Sequence, residues 1–307
     1  MGKVDTRIFG GVEAGGTKFV CAVGNAHGEI LAQTRFPTCE PASTFGLMLD
    51  FLRQQRDNFG PYAAVGIGSF GPIELDATSN LYGHIRRTPK SGWSDTDIVG
   101  PIAREFACPV GFDTDVNGAA LAEHMWGCAR DIEDLVYLTV GTGIGGGVIV
   151  NGKTITGLMH PEIGHVFPRR HALDANFKGI CPFHDDCLEG LASGTAIIAR
   201  TGFPLDQLVI SHPQWEIEAD YLGQLCALLV LTISPRRIVI GGGVMGQTRL
   251  LPMIREQTCY WLRGYIHRRE IMTAVNDYIV TPGLGSRAGV MGALALAMRA
   301  AGQASER

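Results

Sequence analysis

The sequence predicts an α/β protein built from two related lobes. Strand-like apolar segments alternate with helix-like segments along the chain, an order typical of α/β domains. Residues 8–24 and 135–152 also share a plan, in which two apolar strands flank a glycine-rich bend. Because each half of the chain carries one such hairpin, we expect a duplicated domain with a ligand site in the cleft between the lobes.

The other elements follow in chain order from apolar runs and turn residues. After the first hairpin we expect a helix near 44–59, a buried strand AAVGIGSF, and a strand CPVGF that leads into a helix near Asp115. After the second hairpin we expect a helical segment at 188–200, a long helix at 219–234, a strand RIVIGGGV and a last helix near 289–300.

The two lobes are expected to divide near Gly118, inside or beside a helix. Residues 1–117, joined by a C-terminal helix at about 289–304, would form an N-terminal α/β lobe. Residues 118–288 would form a C-terminal α/β lobe that carries a metal site.

Composition excludes several classes of protein. The chain has 307 residues, of which 46% are hydrophobic, so disorder is not its main state. No apolar run approaches the roughly 18 residues of a membrane span, and the N-terminus lacks the apolar core of a secretory signal. With 26 basic against 30 acidic residues and no basic cluster, nucleic acid is not an expected partner. We therefore expect a soluble, cytoplasmic protein.

Glycine accounts for 41 residues, about twice the usual share of roughly 7%, and it is clustered at bends. The first bend is not a Walker A loop, because Thr17 precedes Lys18 and a strand follows. In the second bend Gly141, Gly143 and Gly146 fit G-x-G-x-x-G. A strand again follows where a dinucleotide fingerprint needs a helix, so that interpretation is excluded.

Such bends expose successive backbone N–H groups that can hold anionic oxygens. The candidate residues are Gly15, Gly16, Thr17 and Lys18 in the first bend, Gly141, Thr142 and Gly143 in the second, and Gly242 and Gly243 at a later strand end. Each hairpin alone is also compatible with a structural turn, and Lys18 can point to solvent. The three clusters together favour a nucleotide, with phosphates on the bends and adenosine against the third cluster.

A metal site is indicated by Cys181, His184 and Cys187, which form C-x-x-H-x-x-C. With His165 upstream, two thiolates and two imidazoles match a tetrahedral structural Zn²⁺. His171 is an alternative fourth ligand. The other cysteines do not indicate disulfides, because several lie in apolar segments of a chain without an export signal.

The expected zinc site lies close in sequence to two carboxylates. Four protein ligands leave no open position for a nucleophilic water, so the metal would be structural. It would fix the segments that carry Glu162 and Glu189 and so support a binding site.

A candidate base stands at the start of the helix after CPVGF, where Asp113, Asp115 and Asn117 cluster. Helix capping is a sufficient explanation for Asp113 or Asn117. Asp115 falls near the expected lobe boundary, where a phosphate acceptor would lie. A carboxylate there can take the proton of a sugar hydroxyl as it attacks the γ-phosphorus of a nucleotide.

Eight motifs follow one another along the chain: VEAGGTKFVCAVG, GSFGPI, TPKSGW, DTDVNGAALAE, LTVGTGIGGGVIVNG, HPEIGH, CPFHDDCLEGLASG and IVIGGGVM. Together they resemble those of the ROK family of sugar kinases, and within it the bacterial zinc-containing fructokinases. The resemblance covers nearly the full chain. It implies an actin/hexokinase-like (ribonuclease H-like) fold and transfer of the γ-phosphate of Mg-ATP to the 6-hydroxyl of a hexose, with D-fructose as the expected sugar.

By matching motifs, the resemblance also implies roles for single residues. Asp115 corresponds to the general base. The sugar-binding positions correspond to Gly71, Thr114, Glu162, His165 and Glu189, and His165 would also bind zinc with Cys181, His184 and Cys187. The glycine clusters would hold the phosphates and adenosine of ATP. The resemblance further implies Mg²⁺ as cofactor and a homodimer.

The sequence departs from the wider family at two positions. The first phosphate loop usually reads D-x-G-G-T-K, but Glu13 takes the place of the acid here. The sequence therefore does not identify the residue that holds Mg²⁺. The residue before the base is often Asn in glucokinase-like members, and here it is Thr114. Both changes resemble the fructokinase branch. Alternatives are a kinase of glucose, mannose or N-acetylhexosamine, or a zinc-stabilised sugar sensor without catalysis.

Overall fold

The computed structural model describes Asp5–Ser305, and the chain divides into two compact units. The start of the segment considered for a secretory signal, residues 1–4, lies outside the described residues, as do residues 306–307. The first unit runs through Asp131 and also includes Thr154–His160 and the chain from Ser286 onward, and the second consists of Ile132–Lys153 and Pro161–Gly285.

The first unit begins with the expected glycine hairpin. Its strands are β1 (Ile8–Ala14), β2 (Lys18–Asn25), β3 (Ile30–Pro37), β4 (Tyr62–Ser69), β5 (His84–Ile85), β6 (Thr96–Asp97) and β7 (Val110–Thr114), and its first helices are α1 (Pro41–Phe59), α2 (Val99–Phe106) and α3 (Asp115–Met125). The main sheet has the order β3-β2-β1-β4-β7. Strands β1, β2 and β3 pair antiparallel, whereas β4 is parallel to both β1 and β7.

The second unit contains the second glycine hairpin and most of the remaining helices. Its sheet is formed by β8 (Leu135–Val140), β9 (Ile144–Val150), β10 (Lys153–Thr154), β11 (Arg237–Gly241) and β12 (Ile279–Val280). The chain passes into the first unit at the second residue of β10. Its helices are α4 (Leu188–Ala192), α5 (Gly194–Thr201), α6 (Gln214–Thr232), α7 (Leu250–Leu262), α8 (Arg269–Met272) and α9 (Val275–Tyr278). Strand β8 pairs antiparallel with β9 and parallel with β11, which is parallel to β12.

The two sheets repeat one topology. The second sheet has the order β10-β9-β8-β11-β12. If the five strands of each sheet are counted in chain order, both sheets have the spatial order 3-2-1-4-5. In each, the first two strands form the hairpin with the glycine bend. The predicted α/β fold with duplicated domains is thereby confirmed. Residue 118, where we place the lobe boundary, lies within α3, and that boundary stays a prediction.

The last helix, α10 (Ala288–Ser305), packs across the sheet of the first unit. Glycines in the strands allow this close approach. A Cβ on Gly66 would lie 1.9 Å from the carbonyl oxygen of Ala293, and one on Gly111 would lie 2.2 Å from that of Leu296. Any side chain at these strand positions would push the helix off the sheet, since backbone atoms cannot yield as a flexible side chain can.

An aromatic core lies on the other side of the first unit. Trp93, from the TPKSGW motif, is fully buried and contacts Phe19, Phe45 and Phe70 with ring centroids 5.5, 5.5 and 5.6 Å away. Its indole N–H donates a hydrogen bond of 2.9 Å to the carbonyl oxygen of Cys39. The motif is therefore anchored through burial of a large aromatic side chain with a satisfied polar atom.

The structure differs from the predicted elements in two helical regions. The segment 188–200 is broken into α4 and α5 at Ser193, whose hydroxyl accepts a hydrogen bond of 3.1 Å from Ala196 N and so caps a new helix. The long helix α6 begins at Gln214 rather than near 219, because Trp215 and Ile217 are buried there. The polar Gln214 and Glu218 are fully buried beside them, although Glu216 is exposed. Among the described helices, none has the length and apolar character that a membrane crossing requires.

Candidate active site and metal centre

The candidate base Asp115 is the first residue of α3, directly after β7. The preceding Thr114 is the helix cap, since its hydroxyl accepts a hydrogen bond of 3.1 Å from Asn117 N. The side chain of Asp115 is half-buried, and its Oδ1 accepts a bond of 2.9 Å from Val116 N. The helix N-terminus favours a negative charge at this position.

Asp113 has a structural environment that differs from that of Asp115. It does not cap the helix, which corrects the interpretation of Asp113 or Asn117 as a cap. Its buried Oδ1 accepts hydrogen bonds from Thr114 N (2.8 Å) and from Asn117 Nδ2 (2.7 Å). Burial raises the pKa of Asp113, and the bonds from Asn117 and Thr114 oppose that shift. Asp113 therefore links the end of β7 to α3.

The space for the start of α3 depends on a glycine that the sequence analysis did not single out. A Cβ on Gly68, in β4, would lie 3.3 Å from the Cα of Asp115, a tighter contact than packed residues usually make. The signal in the sequence is a glycine within an apolar strand, which often marks a close backbone approach.

His160 is a second residue that sequence reasoning missed, although it opens the HPEIGH motif. It is buried, and its Nε2 accepts a hydrogen bond of 3.1 Å from Ile73 N. Gly71, expected in the sugar site, lies beside it, because a Cβ on Gly71 would be 3.3 Å from His160 Cε1. The peptide bond between Gly71 and Pro72 is cis.

The first glycine bend, between β1 and β2, is held by neighbouring backbone groups. Gly15 N donates to Lys18 O (3.0 Å), and Thr38 binds the bend twice, through its amide to Thr17 O (2.9 Å) and its hydroxyl to Gly15 O (2.7 Å). Within the described part of the chain, the amides of Gly16 and Thr17 make no hydrogen bond to protein groups. Gly16 also has open space around it. Those two N–H groups are the donors this bend can offer to a ligand.

The second glycine bend, between β8 and β9, is braced by α4 and α5. Gly194 N donates to Gly141 O (2.7 Å), and the Thr195 hydroxyl donates to Thr142 O (2.8 Å). The carboxylate of Glu189 accepts a hydrogen bond of 2.9 Å from Ile144 N, directly after the bend. A Cβ on Gly143 would lie 2.5 Å from Glu189 Oε2, so the glycine leaves room for this carboxylate.

The third glycine cluster follows β11 and lies next to the second bend. Gly242 has φ +95°, and a Cβ there would be 2.3 Å from the carbonyl oxygen of Val140, so both backbone conformation and space require glycine. A Cβ on Gly141 would lie 4.0 Å from Gly243 N. The structure thus brings together the second and third clusters, which the sequence analysis assigned to one nucleotide.

The candidate metal centre consists of His165, Cys181, His184 and Cys187, whose ligand atoms all lie within 4.8 Å of one another. His165 Nδ1 is 3.4 Å from Cys187 Sγ and 3.7 Å from Cys181 Sγ, which is also 3.7 Å from His184 Nδ1. Tetrahedral Zn²⁺ with bonds of about 2.3 Å to sulfur and about 2.05 Å to nitrogen would separate such atoms by roughly 3.5 Å. The four side chains therefore fit this ion.

His171, the alternative fourth ligand, is not part of this group. Its Nδ1 accepts a hydrogen bond of 3.2 Å from Leu173 N, and its Nε2 lies 3.6 Å from the carboxylate of Glu216. The two thiols are buried and His184 is exposed, so the centre lies at the surface of the second unit.

Two carboxylates flank the metal centre in the chain. Glu162 precedes the short 3-10 turn Ile163–His165, and Glu189 is the second residue of α4, which begins directly after Cys187. Burial raises the pKa of Glu162 to about 7, and the nearby negative charge of Glu189 adds to the shift. The sequence expectation that the metal segments carry both carboxylates agrees with this arrangement.

The chain belongs to the ROK family, whose model matches residues 9–300. It is similar to a fructokinase of Zymomonas mobilis, with 46% identity over 301 residues that cover 97% of this chain and 99% of the relative. It is also similar to a fructokinase of Pediococcus pentosaceus, with 42% identity over 95% of this chain and 98% of that protein. A solved ROK hexokinase of Thermus thermophilus aligns with a TM-score of 0.78 and 25% identity, over 98% of this chain and 100% of its own. The predicted family and its actin/hexokinase-like fold are confirmed.

Proposed function

We propose that this protein is an ATP-dependent fructokinase, which transfers the γ-phosphate of Mg-ATP to the 6-hydroxyl of D-fructose. The observation that carries this proposal is the identity of 42–46% with two fructokinases over nearly the full length of the chain. The half-buried carboxylate at the start of α3, the two glycine bends and the cysteine and histidine cluster are consistent with it.

Asp115 acts as the general base. The oxygen of the sugar hydroxyl forms a bond to the γ-phosphorus, and the bond from that phosphorus to the bridging oxygen of ADP breaks. The hydroxyl proton passes to the Asp115 carboxylate, so the products are fructose 6-phosphate and ADP. The positive end of α3 keeps the carboxylate available as an acceptor.

The glycine clusters hold the nucleotide. In the first bend, the amides of Gly16 and Thr17 are donors to phosphate oxygens, with the positive charge of Lys18 close in sequence. In the second unit, the bend at 141–143 contributes further donors, and the adjacent Gly242 and Gly243 accommodate the adenosine. A bend held rigid by its neighbours needs little reorganisation when charge develops on the phosphoryl group.

Glu162, His165 and Glu189 bind the hydroxyl groups of the sugar, together with the backbone near Gly71. Thr114 has a narrower role than its glucokinase counterpart, because its hydroxyl oxygen already caps α3. A hydroxyl that accepts one hydrogen bond can still donate its own hydrogen, so one contact to the sugar remains open to it.

Two metal ions complete the proposal. Zn²⁺ is held by His165, Cys181, His184 and Cys187 and stabilises the fold of its segment without taking part in the reaction. Mg²⁺ accompanies ATP and neutralises negative charge on its phosphates. The chain offers the carboxylate of Glu13 beside the first bend, an oxygen donor of the type Mg²⁺ prefers. We further propose a cytoplasmic homodimer.

The test is a coupled measurement of ADP formation with fructose, glucose, mannose and N-acetylhexosamines in turn. We expect the highest kcat/KM with fructose, and fructose 6-phosphate as the product. A higher kcat/KM with another sugar would reassign the substrate, since contacts to single hydroxyls decide such preferences. Sugar binding without any sugar-dependent ADP formation would instead identify a sensor.

A further inference from the structure

The carboxylate of Glu13 is an acidic group next to the first glycine bend. Glu13 is the second-last residue of β1, two positions before Gly15. The side chain is partly buried, and burial raises its pKa, an effect that the charges of Lys18 and Arg35 oppose. Among the described residues, no hydrogen bond or ion pair joins its carboxylate to another side chain. The fold therefore keeps a partly desolvated acid beside the bend.

The carboxylate of Glu13 lies directly against Gly289, the second residue of α10. A Cβ on Gly289 would be 2.4 Å from both Cδ and Oε1 of Glu13, and 2.8 Å from Oε2. Gly289 does not have a positive φ, so backbone conformation does not require glycine here. Glycine weakens a helix relative to alanine. The structural reason for a glycine at position 289 is that the carboxylate of Glu13 occupies the space that a side chain would need.

This contact is set by the packing of α10 on the sheet. Gly11 and Glu13 point to the same face of β1, because side chains alternate along a strand. A Cβ on Gly11 would lie 3.1 Å from the side chain of Leu294, in the same helix. Two residues of strand span about 6.8 Å and five residues of helix span about 7.5 Å. The same packing of α10 along β1 therefore places Gly11 against Leu294 and Glu13 against Gly289.

We propose that Gly289 is a positioning residue for Glu13. Its missing side chain leaves the space that the Glu13 carboxylate occupies, and so sets where this acid stands relative to the first bend when Mg-ATP is bound. This inference rests on the proposed kinase function. A glutamate is one methylene longer than an aspartate, so its carboxylate needs room that an alanine at position 289 would remove.

The test uses Gly289→Ala, Glu13→Asp and the double variant. In Gly289→Ala the new methyl group meets the end of a flexible side chain, so we expect normal folding and a displaced carboxylate. A displacement near 1 Å lowers kcat by up to about 100-fold, and the Mg²⁺ concentration for half-maximal rate should rise. The shorter acid of Glu13→Asp vacates the space. In the double variant the alanine should therefore cost nothing beyond the effect of Glu13→Asp alone.

Gly302→Ala is the matched control, because Gly302 lies in the same helix and a Cβ there would meet no atom within 4 Å. It should keep the wild-type rate and Mg²⁺ dependence. A second readout does not need turnover: the rise in Tm that Mg²⁺ causes with a non-hydrolysable ATP analogue. This rise should be reduced in Gly289→Ala and unchanged in Gly302→Ala, while the Tm without ligand is not lowered in either variant.

A Gly289→Ala variant with wild-type kcat, Mg²⁺ dependence and Tm rise would overturn the inference, as would effects that multiply in the double variant. A wild-type protein with no Mg²⁺-dependent Tm rise would overturn it as well. A wild-type protein that shows this rise but forms no sugar-dependent ADP would contradict the proposed function instead, and the comparison of Tm values would still decide the role of Gly289.

Discussion

Glu189 accepts a hydrogen bond of 2.9 Å from the backbone N–H of Ile144, the first residue after the second glycine bend. The carboxylate lies so close to the bend that a side chain at position 143 would displace it. One side chain, proposed to bind the sugar, is thus also part of the structure that is proposed to bind phosphate. Removing it should affect both substrates.

Glu189→Ala should weaken ATP as well as fructose binding. A hydrogen bond to a charged acceptor is worth about 1.5–3 kcal/mol. Without this bond the bend must be ordered when ATP binds, so the KM for ATP should rise by up to roughly tenfold. Glu162→Gln is the comparison, because Glu162 precedes the 3-10 turn of the metal centre and belongs to neither glycine bend. It should raise mainly the KM for fructose. Steady-state kinetics with each substrate varied would check both. An unchanged KM for ATP in Glu189→Ala would show that Ile144 does not depend on this carboxylate.

Asp115→Asn should lower kcat by about 10²–10⁴-fold, the usual contribution of a general base. Its KM for fructose and its Tm should change little, because Asp115 is only half-buried. Asp113→Ala is the contrasting variant: it removes the oxygen that accepts two buried hydrogen bonds and leaves both donors unsatisfied, so it should lower the free energy of unfolding by about 1–3 kcal/mol. Equal kcat in wild type and Asp115→Asn would remove the proposed base.

Cys187→Ser should lower both zinc content and Tm, because binding of a structural metal contributes to folding free energy. We expect one zinc per chain in the wild type by elemental analysis, and less than half of that in the variant. Cys39→Ser is the control, since Cys39 is an exposed cysteine outside the cluster. A metal-free wild-type protein with the same Tm as the metal-bound one would contradict a stabilising role for zinc.

Glu218 should make the protein less stable as the pH rises. It is fully buried, Oε1 has no hydrogen-bond partner among the described residues, and burial raises its pKa well above the usual value of 4.5, against the charge of Arg200. Since the folded pKa exceeds the unfolded one, the folded chain binds more protons. The free energy of unfolding therefore falls above about pH 4.5, by up to about 1.4 kcal/mol per pH unit until the folded pKa is reached.

Glu218→Gln keeps the shape of the side chain and removes its titration, so its advantage over wild type in the free energy of unfolding should grow as the pH rises above about 5. Urea unfolding at several pH values would measure this difference. Glu216→Gln serves as the control, since Glu216 lies in the same helix with 61% of its side chain exposed. Parallel curves for wild type and Glu218→Gln would show that Glu218 has the same pKa in the folded and unfolded chain.

Elements with strong local patterns were predicted well from the sequence. Both glycine hairpins appear where alternating apolar residues and clustered glycines predict them. Two helical regions lack such local signals. The start of α6 was predicted several residues too late, because it contains polar residues such as Glu218 that are buried. The segment 188–200 was predicted as one helix, but Ser193 separates α4 from α5 by capping α5. Burial of a charged residue depends on what packs against it, which a local pattern does not contain.

For the candidate sites, the sequence by itself determined the residue types. The motif C-x-x-H-x-x-C, the glycine bends and the acids at the start of α3 are all recognised from residue types and their spacing along the chain. Only the tertiary structure decided that His165 rather than His171 joins the cysteines, that Glu189 binds Ile144 across 45 residues, and that Glu13 meets Gly289. Backbone preferences and periodicity act over a few neighbouring residues, whereas these contacts arise when whole helices and strands pack and bring distant side chains to within a few ångströms.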